Sequence, residues 1–376
     1  MDTYFYKLEY NEIIQIIEKY CNTYLGKKLC YELKPSFNFN TVQTLLSETQ
    51  NADSLLIQKG SAPLYEIDEI EKSLKLLESS QILSIKALLD IAKLLQMCRE
   101  LQHYFYDDIS NTVTSENKDI SPYSFLEKYF SKLYTNIRIE KNIFQKLVDE
   151  NTVADDASPK LSSLRKSRKN AEQQIKDKLN SFIHSNTYSK YIMEPIVTIR
   201  DNRYVIPVKD EYRDMIKGFI HDTSSSGSTL YIEPTSVFEL NSQINKLKVE
   251  EDIEIENILQ ILSTSLYSYT EELANNLRLV AIIDLTFAKA KYGIESNGIQ
   301  PKLNSENHVE LFAAKHPLID KTQVVPIDIS IGKDYVSLLI TGPNTGGKTV
   351  ALKTLGLHLL MAYSGIPIPC NEKSSI

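Results

Sequence analysis

The hydrophobic positions of this 376-residue chain recur mostly at helical spacing. Leu8, Ile13, Ile14, Ile16 and Ile17 share one face and predict an amphipathic helix that ends near Gly26 or at Leu33-Lys34-Pro35. Val42, Leu45, Leu46, Leu55 and Leu56 predict a second long helix. Ile67, Ile70, Leu74 and Leu77, then the run from Ile82 to Cys98, continue the theme. Nothing in these helices carries chemistry, and the polar stretch 107–121 predicts a loop. A sharper helix start lies at Ser158-Pro159. The serine hydroxyl can accept an orphan N–H, and proline has none to leave unpaired. From there Leu161, Leu164, Arg168, Ala171, Ile175, Leu179 and Phe182 follow the three-four repeat of a long helix with one apolar seam. Val237, Leu240, Ile244, Leu247, Ile258, Ile261 and Leu262 predict another.

Between those two helices the pattern changes to β-branched and aromatic runs: 196–199, 204–206, 219–220 and 229–232. Asp201-Asn202 sits where a two-residue hairpin loop belongs, because both residues tolerate positive φ. Ser224-Ser225-Ser226-Gly227-Ser228 makes a second turn. Neither long helix can bury its seam alone, so the simplest assembly is an antiparallel pair capped by a small β-rich tip. Periodicity alone also allows an ordinary helix–strand domain.

Composition, 42% hydrophobic and 24% charged, is that of a soluble globular chain and excludes collagenous, mucin-like or wholly disordered classes. A net charge of -7 excludes a basic nucleic-acid coat, so a polyanionic partner needs a local basic surface. Residues 160–217 supply one: thirteen Lys and Arg against seven Asp and Glu, a local net of +6. The returning helix is acidic, with Glu250, Glu251, Asp252, Glu254 and Glu256. Pairing between the two arms is the plain account of the arm cations. Arg200 and Arg203, flanking the hairpin, are better placed for phosphate. Cys21, Cys30, Cys98 and Cys370 form no CxxC pair and predict free thiols in a reducing compartment. With no signal-like start and no long apolar span, the expected location is the cytoplasm.

Chemistry concentrates near residue 345. Tyr335-Val336-Ser337-Leu338-Leu339-Ile340 predicts a buried parallel strand. It leads into Gly342, Pro343, Asn344, Thr345, Gly346, Gly347, Lys348 and Thr349, which satisfy G-x-x-x-x-G-K-[ST], and then into a helix. The glycines let backbone N–H groups approach phosphates, and the following helix points its positive end at them. Lys348 supplies a charge to the β- and γ-phosphates, and the Thr349 hydroxyl can ligate Mg²⁺. The expected ligand is ATP with Mg²⁺. No strand ending in an acidic pair follows, so weak nucleotide binding and poor hydrolysis are expected of this chain. No catalytic residue is assigned.

The T-G-P-N-x-x-G-K form of the loop, with Lys315-His316-Pro317-Leu318-Ile319 before it, resembles the MutS family. Within it the chain is most similar to the type-two MutS proteins, named endonucleases. The likeness rests on Arg200-Asp201-Asn202-Arg203-Tyr204-Val205-Ile206-Pro207-Val208-Lys209, on 221–229 and on Tyr231-Ile232-Glu233-Pro234. Leu8-Glu9-Tyr10, Leu25-Gly26-Lys27 and Leu33-Lys34-Pro35 fit as well. The resemblance implies a mainly α fold with a small β-rich clamp: a helical core (1–157), an ascending lever helix (158–191), a clamp tip (192–235), a descending lever helix returning to the core (236–300), and the start of a P-loop α/β ATPase domain (301–376). It implies a dimeric, ATP-dependent protein that binds DNA or the ribosome and rRNA, suppressing recombination or rescuing stalled ribosomes. Arg200, Arg203, Lys209 and Arg213 would make the nucleic-acid contacts. The nuclease activity attaches to no residue of this chain. A non-catalytic helical scaffold with a vestigial nucleotide site is the alternative. A coiled-coil chromosome-organising ATPase is disfavoured, because its phosphate loop precedes the arms. His316, before a proline, is expected to be structural, packing near the base of the nucleotide at most.

Overall fold

A computed structural model describes residues 3–107, 123–343 and 347–376. The predicted loop at 107–121 lies, apart from Asp107, outside the described residues, as do Asn344, Thr345 and Gly346. The chain is mainly helical with small antiparallel sheets, and it divides into two compact units. One comprises Met1–Ser79, Asp90–Glu140 and Tyr267–Ile376; the other comprises Ser80–Leu89 and Lys141–Leu266.

In the first unit α1 (Thr3–Lys7), α2 (Tyr10–Glu18), α3 (Tyr24–Tyr31), α4 (Phe39–Lys59) and α5 (Glu71–Glu78) are joined by 90–106 of α6 (Ile85–Tyr106) and by α7 (Ser124–Phe130). α8 (Ile137–Lys146) follows in the chain. The long helix here is Thr270–Ser296, called α11 below, and it packs against α2, α3, α4 and α5. Its residues 279–281, 283–290 and 292–293 are all buried, as expected of a helix covered on every side. Such a helix must satisfy its own polar groups. Asn276 does so with the backbone of Tyr134, accepting from its N–H (2.8 Å) and donating to its carbonyl (2.7 Å). Asp284 accepts from the N–H groups of Asn22 (3.0 Å) and Thr23 (2.7 Å) and from the Thr23 hydroxyl (2.7 Å).

That carboxylate explains a departure from the sequence reading. The expected single helix from residue 8 is two, α2 and α3: Glu9 takes a left-handed conformation (φ 61°, ψ 27°) before the first, and 22–23 turn to meet Asp284 between them. Gly26 does not end a helix; it lies inside α3, capped by Thr23. A Cβ there would stand 2.2 Å from Asp284 Oδ2 and 2.8 Å from its Cγ, so glycine is the condition for the two helices' approach. The second predicted helix is present as α4, whose Asn38 cap accepts from Thr41 N–H (3.1 Å).

The second unit contains the β1–β2 hairpin (Leu147–Asp149, Thr152–Val153) and α9 (Pro159–Ile183), β3 (Thr198–Arg200), β4 (Arg203–Lys209), β5 (Gly218–Thr223), β6 (Thr229–Pro234) and α10 (Phe238–Thr264). Ser158 caps α9 by accepting from Leu161 N–H (3.0 Å), with Pro159 in its first turn. The expected seam is buried at Leu161, Ala171, Ile175 and Leu179. α10 runs antiparallel to α9. Lys160 pairs with Glu254 (3.1 Å) and Arg168 with Glu251 (3.1 Å), so the arm cations are matched to the acidic arm. Ile261, expected in the seam, is 52% exposed; buried Glu251 and Glu254 occupy inward positions instead. The strands form one antiparallel sheet in the order β3-β4-β6-β5. Asp201 and Asn202 have φ of 47° and 58° and close the hairpin with Arg200 opposite Arg203.

The predicted parallel strand at 335–340 is not formed. It is irregular and exposed, Val336 at 87% and Leu339 at 86%. A parallel strand needs hydrogen-bonding neighbours on its edges, and none lies beside it among the described residues. The sheet nearby in sequence is the antiparallel pair β7 (Val309–Ala314) and β8 (Ile327–Ile331). The helix after the loop is present as α12 (Lys348–Tyr363), burying Thr354, Leu357, His358, Met361 and Ala362. The four cysteines are unpaired, and no described helix is long and apolar enough to cross a membrane.

Two outcomes test this core. Gly26→Ala should destabilise the protein by about 1–3 kcal/mol in urea unfolding, although alanine is normally favoured inside a helix by about 1 kcal/mol. Burial in α11 holds the Lys289 amine down to about 8. Its pKa on unfolding returns to the ordinary range, so stability should rise as pH climbs from about 8 toward 10, where the unfolded state binds the extra proton. Lys289→Met should be more stable at neutral pH and flatten that rise; a parallel slope in both proteins would exclude the assignment.

Candidate functional site

The phosphate loop is described on both flanks of its tip. Gly342 (φ 140°) and Gly347 (φ 79°) hold backbone conformations that side chains resist, and a Cβ on either would meet open space. The glycines are therefore there for the turn and not for room. Gly347 caps α12, so the unpaired N–H groups of the first helical turn face the loop. Lys348 Nζ folds back to donate to the Gly342 carbonyl, across the space the loop encloses. Thr349 follows, exposed. No group of three or more His, Cys, Asp or Glu among the described residues could hold a metal ion.

Beside the loop lies a cavity of about 470 Å³. Gly347, Lys348 and Thr341 line one part of it, and Val324, Val325 and His316 another. The lining thus combines a helix start and the Lys348 ammonium with apolar side chains, the donor set of a site for a ligand with a charged and an apolar end. His316 is buried, and its Nε2 faces the Glu9 carboxylate at 3.4 Å. Burial holds its imidazole below the ordinary range, with Lys353 acting in the same direction and Glu9 opposing. Sequence reasoning missed Glu9 and Lys353 here. Leu8-Glu9-Tyr10 stood out as a motif, yet no spacing ties position 9 to position 353.

The four clamp cations do not form one patch. Arg203 donates to both oxygens of Glu233 (2.8 and 3.0 Å), a carboxylate with no solvent exposure. Glu233 also meets His221 Nε2 (2.7 Å) and accepts from Asn241 Nδ2 (2.8 Å). The Arg203 guanidinium lies over the Phe238 ring at 5.1 Å. Arg200 pairs with Asp222 (2.9 Å) and covers the Tyr231 ring at 4.2 Å. Both arginines thus have internal partners that hold the sheet to α10 and bind its strands together. Lys209 Nζ reaches the Lys190 carbonyl (3.4 Å), and Arg213 is exposed on the turn Asp210–Met215. The signal for Glu233 was available: the one charged residue in the largely buried strand Thr229–Pro234 has to find a partner.

The chain thus carries an antiparallel helical pair with a β-sheet between its helices and, later in sequence, a glycine-capped helix that begins with Lys348. Comparison with known proteins gives the type. The chain is 42% identical over 365 residues to endonuclease MutS2 of Acetivibrio thermocellus, 41% over 365 to that of Ruminiclostridium cellulolyticum, and 38% over 369 to that of Clostridioides difficile. These alignments cover 97%, 97% and 98% of this chain and 45%, 45% and 46% of the relatives. No protein-family model matches the chain. Over its own length the chain is of the MutS2 type, and it spans about half the length of the curated relatives it matches.

The Glu233 network makes a specific demand on Arg203. Arg203→Ala leaves a buried carboxylate with His221 and Asn241 alone, and should destabilise the clamp by about 3 kcal/mol or more. Hydrogen exchange in β4 and β6 reads this directly, and unchanged protection there would place Arg203 outside the sheet's support.

Proposed function

We propose that the chain is the nucleotide-sensing and clamp-bearing part of a nucleic-acid-binding protein, and that ATP at the phosphate loop governs the clamp's hold on its cargo. The observation that carries this reading is the loop itself: Gly347 capping α12, Lys348 reaching across to Gly342, and the apolar recess beside them. In it Lys348 and the N–H groups of the first turn bind the phosphates, while Val324 and Val325 receive the base. Asn344, Thr345 and Gly346 complete the cradle. Mg²⁺ would be held by the Thr349 hydroxyl together with nucleotide oxygens and water. The sequence of the run 335–340, which has the composition of a central strand, supports a P-loop α/β ATPase domain beginning near residue 301.

The cargo is nucleic acid: branched DNA or ribosomal RNA, taken up by a cytoplasmic dimer in recombination control or ribosome rescue. The relatives' name, endonuclease, supports nucleic acid as the substrate class. At the tip Lys209 and Arg213 are better placed for phosphates than Arg203, whose charge is committed to Glu233. Arg200 can contribute by its half-exposed edge. ATP hydrolysis and a nuclease activity belong, on this reading, to the whole protein. A scaffold with a vestigial nucleotide site is the second reading, favoured by the exposure of 335–340.

A fluorescent ATP analogue separates the two. Lys348→Ala should weaken its binding at least about tenfold, the cost expected for one charge-assisted phosphate contact. In the full-length protein, affinity for branched DNA or ribosomes should change with ATP, and Lys348→Ala should remove the change. Equal affinity with and without ATP would leave the scaffold.

A further inference from the structure

Three successive residues, Leu8 and Glu9 between α1 and α2 and Tyr10 at the start of α2, each touch the phosphate-loop helix or the turn that ends it. Leu8 packs on Gly356, where a Cβ would come within 2.8 Å of Leu8 Cδ2. The Glu9 carboxylate takes a hydrogen bond from Lys353 Nζ on α12 with one oxygen and faces His316 Nε2 with the other. The Tyr10 hydroxyl meets Ser364 Oγ at 2.6 Å, just past the end of α12. Glu9 does this from a left-handed backbone, φ 61° and ψ 27°. That conformation costs a non-glycine residue about 1 kcal/mol or more, and persists only where surrounding contacts impose it. Its carboxylate contacts Lys353 and His316.

His316 is the link to the ligand cavity. It lines the recess shared with Gly347 and Lys348, and it is 5% exposed. With Nε2 turned to Glu9, its Nδ1 is buried without a partner. The groups that face the imidazole are Glu9 from the α1–α2 link and Lys353 and His358 from α12. Burial holds His358 down to about 4, so it is neutral between pH 5 and 8. Glu9 therefore touches, through two side chains, both the helix that presents Lys348 and the wall of the recess.

We infer that Glu9 is a positioning residue for the nucleotide site: its carboxylate bridges Lys353 and His316, fixes the spacing between the phosphate-loop helix and the recess wall, and couples occupancy of that site to the amino-terminal helices. The inference rests on the nucleotide reading above. It gives the Leu8-Glu9-Tyr10 segment a role that core packing alone does not require, because a charged residue in a strained conformation is a poor choice for filling space. Coupling of this kind passes through contacts with two arrangements, and substitutions along it change affinity by roughly 2- to 30-fold.

The test measures affinity of the intact chain for a fluorescent ATP analogue between pH 5 and 8, in the unmutated protein and in Lys348→Ala, Glu9→Gln, Glu9→Gly, Lys353→Gln and His316→Asn. Glu9→Gln should weaken binding within that 2- to 30-fold range, and Lys353→Gln on top of it should add little. Glu9→Gly loses the carboxylate but relieves the backbone. It should bind as weakly as Glu9→Gln while its unfolding midpoint without nucleotide is at or above that of Glu9→Gln. The pH profile separates positioning from stability. The ligand's own titration is common to all variants. Relative to His316→Asn, the unmutated protein should show an added bend where His316 titrates, and Glu9→Gln should move that bend to lower pH, since the imidazolium loses its facing carboxylate. A Glu9→Gln protein that binds within twofold of the unmutated one, or one whose affinity drops by the same factor at every pH, overturns the inference. If the unmutated chain binds no better than Lys348→Ala, the nucleotide reading itself falls and this one with it.

Discussion

A carboxylate removed from water must be answered by the protein around it, and in the first unit that demand is made by Asp284. The charge sits on a helix buried on nearly every side, where desolvation would be prohibitive without donors. Two backbone N–H groups and a hydroxyl from 22–23 supply them. Those residues can arrive only if α2 stops at Glu18 and α3 starts afresh at Tyr24, and only if position 26 has no side chain. One buried charge thus sets a helix boundary, a cap and a glycine, and with them the packing of α3 on the central helix.

The clamp repeats the device. Glu233 is wholly buried and collects Arg203, His221 and Asn241, which come from β4, β5 and α10. A network of this kind contributes little net stability over a well-packed apolar core, but it penalises every arrangement that leaves the acid unmatched. It therefore specifies which strands and helix meet. The cost is that an arginine flanking the hairpin, the natural candidate for a phosphate, already has a carboxylate partner. Net charge along a segment is a poor guide to free charge on a surface. Of the cations between 160 and 217, Lys160, Arg165, Arg168, Lys169, Arg200 and Arg203 are all in ion pairs within the unit.

What could be read from the sequence divides along the same line. Ser158-Pro159, the hairpin at Asp201-Asn202 and the buried seam positions Leu161, Ala171, Ile175 and Leu179 of α9 are decided by residues within a few positions of one another, and all are where the pattern places them. The phosphate-loop helix begins at Lys348 for the same reason. The breaks at Glu9 and Asn22, the inward acids at Glu251 and Glu254, and the Glu9–His316–Lys353 contact depend on partners hundreds of positions away or on the opposite arm. No local periodicity carries that information. A charged residue at an apolar position was the one trace of it, visible at Glu233 and Glu251.

The run at 335–340 marks the limit of local reasoning from the other side. Its composition, Tyr-Val-Ser-Leu-Leu-Ile, is that of a buried strand, yet Val336 and Leu339 stand almost fully in solvent. A helix satisfies its backbone within itself, so α12 forms beside the loop regardless of what surrounds it. A strand has no such internal solution, and an apolar sequence becomes one only when neighbours offer hydrogen bonds on its edges. The loop between them is accordingly anchored on its helical side and unanchored on the other. Among the side chains that hold α12 in place are Leu8, Glu9 and Tyr10, alongside the core residues packed on Leu357, Met361 and Ala362. The amino-terminal helices thus meet α12 across a distance in sequence that only the folded chain can close.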